Sequence, residues 1–119
     1  MSERVYNPCD VQVRLEQYME MVQEKINDYW ARMEYTFAPP NNVTVDMGRK
    51  YARIVSNDGN GGQRTVHTFV NLLNGDILKS GGWSAPQKNG VRGNIFADDL
   101  GANRVNEHGA NYIKGPQFV

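Results

Sequence analysis

The chain has 119 residues, 39% apolar and 22% charged, with thirteen basic side chains balancing thirteen acidic ones. That length suits a single domain, residues 1–119, and a net charge of zero with a pI near 6.7 excludes nucleic-acid binding by bulk charge, leaving only a local basic patch. One cysteine, Cys9, and two histidines, His67 and His108, exclude a disulfide framework and disfavour a zinc site; no cofactor or metal is expected.

The first predicted element is a long amphipathic helix over residues 7–35. Asn7 can cap it, Pro8 suits its first position and Asp10 can close a capping bond; Pro39-Pro40 stop it. Leu15, Met19, Val22, Ile26, Tyr29 or Trp30, and Met33 recur in alternating steps of four and three, the spacing of a helix–helix seam. Asp28 and Arg32 stand at i,i+4 and are expected to pair. Such a helix runs ~40 Å, longer than a sheet of this size can cover. Part of the seam is therefore expected to overhang and form a homo-oligomer interface; the alternative is that all of it packs on its own sheet.

From residue 43 to 96 the period becomes two, predicting a small antiparallel sheet or open barrel. Val43-Thr44-Val45 is β-prone, and Lys50–Ser56 sets Tyr51, Arg53 and Val55 against Ala52 and Ile54. Residues 57–62 form a loop. In the next strand Val66, Thr68, Val70 and Leu72 alternate with Thr65, His67, Phe69 and Asn71, and Asn74-Gly75 predicts a two-residue hairpin into Asp76–Lys79. Pro86 disfavours a central strand, and residues 91–96 can form one more short strand. Residues 97–119 show no period and read as an irregular arm, held by a neighbouring subunit through Tyr112, Ile113 and Phe118. The fold class is α+β.

Catalysis finds no constellation. Cys9 has no histidine at a spacing that makes a dyad, and a buried or partly buried structural thiol is the favoured reading. Asp98-Asp99 and Asp58 lack the ligand number for Mg²⁺ or Ca²⁺, and the glycine loop lacks the Lys-Ser/Thr ending of a phosphate loop. The chain is not expected to be an enzyme. The best binding constellation is Lys79, Trp83, Lys88 and Arg92, three cations and an indole with no acid between Ile77 and Ala97. Arg49 and Lys50 are candidates to join it. His67, on a strand face with Phe69, is either a further ligand-facing group or a hydrogen-bonded histidine at the core edge. Trp83 is either a stacking platform or a plug that closes one end of the fold.

The motif V-H-x-F-V at 66–70, then G-D-I-x-K at 75–79, W-x-A-P-x-K at 83–88 and R-G-N at 92–94 resembles a small, uncharacterised protein family of tailed bacteriophages and marine viral metagenomes. The likeness spans residues 48–96, with Gly81-Gly82 and Asn71–Asn74 as departures. It implies a viral origin and a compact Sm-like barrel behind an N-terminal helix. Two functions remain open: self-assembly or docking on a phage or host protein through seam and arm, or nucleic-acid or nucleotide binding at Trp83 and Lys79–Arg92. Host cytoplasm during infection, or the virion, is the expected location, with no membrane partner.

Overall fold

The structure is a computed structural model and describes residues 7–36, 38–59 and 62–110. Helix α1 spans Pro8–Met33. Asn7 opens it as expected, its Oδ1 accepting the Cys9 N–H at 2.8 Å. Glu34 closes it in the left-handed region at φ 55°, its N–H bonding the Ala31 carbonyl while the Tyr35 N–H bonds the Trp30 carbonyl. This paired closure normally uses glycine at the Glu34 position and brings an apolar contact across the last turn. Here that contact is Tyr35 against Trp30, centroids 5.3 Å apart.

Five strands follow: β1 Asn42–Met47, β2 Tyr51–Asn57, β3 Arg64–Asn71, β4 Asp76–Ser80 and β5 Pro86–Asn94. They pair antiparallel in the order β1-β2-β3-β4-β5, so β1 and β5 are the edges. The α+β expectation holds. Pro86 opens an edge strand, where a missing N–H costs little. β5 is longer than residues 91–96 suggested.

The helix lays Val11, Leu15, Tyr18, Val22 and Ile26 on one sheet face, against Ala52, Ile54, Val70, Ile77 and Ile95, all buried. Three of the expected seam residues, Leu15, Val22 and Ile26, are thus core of this chain. Tyr18 takes the inward place given to Met19, which is only partly buried, and Met33 at the helix end is 49% exposed. Arg32 meets Glu107 at 3.8 Å in place of Asp28.

The period-two pattern of β3 breaks at His67. Ile54 pairs with Thr68 but Val55 pairs with Val66, so His67 is the extra residue of a β-bulge and does not share the Phe69 face. The β3–β4 connection also differs from a two-residue hairpin. Leu72–Gly75 make a four-residue turn, with Asn71 Oδ1 accepting the Leu73 and Asn74 N–H groups and Gly75 at φ 81°.

The far sheet face carries a second apolar group, Val55, Phe69 and Leu78, also buried. Beyond β5 the chain returns to the body. Arg14 on the helix donates to the carbonyls of Ile95 at 2.8 Å and Ala97 at 2.6 Å. A 3₁₀ turn, Ala102–Arg104, leads to a small hairpin of β6 Val105–Asn106 and β7 Gly109–Ala110. Val105 is buried in the main core. The described part of the arm is therefore held by its own helix and sheet; Tyr112, Ile113 and Phe118 lie outside the described residues.

Candidate functional site

The β4–β5 connection places Trp83 over the far sheet face. Ser80 Oγ donates to the Gly82 carbonyl at 2.8 Å and the Gly81 N–H bonds the Ala85 carbonyl at 3.0 Å, tightening the bend that carries the indole. The Arg53 guanidinium carbon lies 4.5 Å from the indole centroid and that of Arg64 lies 5.2 Å away. Asp46 on β1 holds Arg64, with Nη2 at 3.2 Å from both carboxylate oxygens, and approaches Arg53 Nε at 3.8 Å. Trp83 keeps 43% of its surface exposed. Arg53 Nε is buried and has no hydrogen-bond partner among the described residues. A hollow of about 220 Å³ opens alongside, lined by residues 46–51 with Arg53, Phe69 and Ser84.

The cations over Trp83 thus come from β2 and β3, which the sequence did not single out, while Arg49 and Lys50, which it did, line the adjoining hollow with Arg53. Lys79 lies on β4 and Arg92 at an irregular register on β5, where Ile77 pairs with Gly93 but Leu78 with Val91. Lys88 lies in β5, and its side chain falls outside the described ones. Cross-strand pairing of Arg53 with Asp46 and Phe69 could have flagged Arg53, since it alternates with the buried Ala52 and Ile54; Arg64 gave no such signal.

His67 belongs to a different place. It is 3% exposed, and both ring nitrogens are used: Nε2 to the Asn106 carbonyl at 2.8 Å and Nδ1 to Thr68 Oγ1 at 3.0 Å. A carbonyl only accepts, so Nε2 carries the proton and Nδ1 must accept from Thr68. Thr68 Oγ1 then accepts from the Tyr18 hydroxyl at 2.7 Å. Burial pushes the His67 imidazole down to about 4, with the Asn106 hydrogen bond opposing, so it is neutral near pH 7. The ligand-facing role is therefore replaced by a structural one, tying helix, sheet and final hairpin together.

Two smaller expectations also resolve. Cys9 is exposed rather than buried. Asp99 is a turn acid: its carboxylate accepts the Gly101 and Asn103 N–H groups at 2.9 and 3.1 Å, and these bonds lower its pKa. Among the described residues no three His, Cys, Asp or Glu side chains gather as a metal site would need.

A larger cavity, about 460 Å³, sits where the helix ends. Its aromatic wall is Tyr29, Trp30 and Tyr35, with His108 standing edge-on to Tyr29 at 5.1 Å. Glu107 and Asp58 also line it.

A family model matches residues 4–112. The chain belongs to a family of unknown function, DUF7717. The DUF7717 match takes in the helix and the final hairpin as well as the motif-bearing middle, so the shared unit includes every element described above. No curated protein and no solved structure matches the chain.

Proposed function

We propose that this chain is a non-enzymatic binding module for single-stranded nucleic acid, using the far sheet face. Trp83 offers a stacking surface, and Arg53, Arg64, Arg49 and Lys50 offer phosphate contacts. The observation that carries this reading is the half-exposed indole beside the two guanidinium groups of Arg53 and Arg64. A phosphate oxygen would meet the accessible parts of the Arg53 and Arg64 side chains, and a charge-assisted hydrogen bond to a guanidinium is among the stronger ones. Base stacking on an aromatic is tolerant of sequence, which fits a site with few base-reading groups. The motif likeness to tailed-phage proteins supports a role during infection, in the host cytoplasm or the virion.

Fluorescence anisotropy of a labelled oligothymidine at low and moderate salt tests the proposal. Affinity should fall with salt by about 0.7 log units per log unit for each phosphate contacted, and Trp83→Ala or Arg53→Ala should weaken it. No binding at low salt, or binding indifferent to salt, would overturn it.

Self-association, or docking on a phage or host protein, is the second reading. It is supported by the parts of the helix that the sheet leaves uncovered: Val13 is 53% exposed and Met33 49%.

A further inference from the structure

The cavity at the helix end differs in kind from the Trp83 face. Tyr29 meets Trp30 at an interplanar angle of 68° and Tyr35 at 71°, and Trp30 meets Tyr35 at 76°. Three planes at such mutual angles form the corner of a box. The helix closure described above builds that corner, because the left-handed Glu34 folds Tyr35 back onto Trp30. Trp30 is fixed by its indole N–H bonding the Ala38 carbonyl at 3.1 Å. Glu107 and Asp58 add negative charge, and among the described residues no lysine or arginine lines the space. Aromatic faces carry negative potential and attract cations, most strongly where water is displaced. The chain's own Arg32 shows the attraction from outside the cavity, its guanidinium carbon 5.6 Å from the Tyr29 centroid and its Nη2 3.8 Å from Glu107.

We propose that this cavity binds a quaternary ammonium group. An alkylated ammonium gains from this aromatic wall while losing little hydration, whereas an anion would meet the carboxylates of Glu107 and Asp58. Its volume lies within the usual range for small-molecule sites, about 300–1,000 Å³. Two sources carry this chemistry: a free small cation and a trimethylated lysine side chain of another protein.

Trp30 reports on the cavity once the other tryptophan is removed, so the test uses Trp83→Phe protein. Choline is titrated at constant ionic strength beside 3,3-dimethylbutanol, its neutral isostere. Choline should quench Trp30 saturably and bind at least ~10-fold tighter than the isostere. Glu107→Gln should weaken choline without changing the isostere, and Arg32→Ala, which removes a competing cation, should tighten choline. Absence of saturation, or equal affinity for the two probes, would overturn the proposal. A trimethyl-lysine peptide separates the sources. Tighter binding than choline assigns the ligand to a protein side chain, and weaker binding assigns it to a free cation.

Discussion

At the scale of the single residue, His67 decides most. Its imidazole titrates at about 4 when folded and near 6.5 when unfolded. Above pH 6.5 both states are neutral and its contribution is intact. As pH falls from 6.5 toward 4, the unfolded chain takes a proton that the folded one refuses, so stability drops. Between pH 7 and pH 5 the loss should be about 2 kcal/mol. Urea titrations at the two pH values should show that this loss disappears in His67→Gln. The bonded chain from Tyr18 through Thr68 to His67 makes a second forecast. Tyr18→Phe leaves one hydroxyl lone pair unfilled and should cost about 1 kcal/mol. Thr68→Val strands both the Tyr18 hydroxyl and His67 Nδ1, and should cost about 3 kcal/mol. Equal losses in the two variants would mean that the chain is not continuous. The sequence offered a hydrogen-bonded histidine at the core edge as one reading, but not its partners, because alternation put His67 beside Phe69. A bulge inserts one residue with no compositional mark, and only the pairing register reveals it.

At the scale of elements, the helix was the most legible part. Its start followed from Asn7-Pro8, and its inward stripe emerged from steps of three and four, although Tyr18 displaced Met19. Its end was legible only as a stop, since nothing in Met33-Glu34-Tyr35 announces a left-handed residue. A non-glycine residue at φ 55° costs roughly 1 kcal/mol relative to glycine. Glu34→Gly should therefore raise the unfolding midpoint in urea by a similar free energy while leaving the cavity aromatic contacts in place. A lower midpoint would show that Glu34 contributes through its carboxylate instead. The final hairpin was illegible for the opposite reason. It docks through isolated contacts, among them the buried Val105, the Asn106 carbonyl, the Glu107 ion pair and the His108 ring, and leaves no period to find. The aromatic corner was hidden likewise, because Tyr29 and Trp30 read as the end of a seam, while Glu107 and His108 lie far downstream in a stretch without pattern.

For the molecule as a whole, the seam is the point at which sequence and structure part. Leu15, Val22 and Ile26 have the spacing of a helix–helix contact, and the chain spends them on its own sheet. Val22→Asp should then abolish the cooperative unfolding transition, because a fully buried carboxylate would be left unpaired. A variant that stays folded but loses mass in light scattering would return Val22 to an interface between copies. Met33→Glu should leave the fold intact and so isolates the exposed end of the helix as a contact. The charge balance also reads differently at this scale: a neutral chain can still present a cationic face on one side of its sheet and a negative, aromatic cavity at the end of its helix.

The way the last hairpin clasps the body has a consequence for how the protein comes into being. During synthesis the helix emerges first and the sheet next. Until Asn106 leaves the ribosome, His67 has no carbonyl to hold, and the cavity lacks the wall that Glu107 and His108 provide. A chain halted before residue 105 would carry the whole sheet yet keep an open groove and an unanchored histidine. Docking of the final hairpin, rather than formation of the sheet, is the step that anchors His67 and walls the cavity.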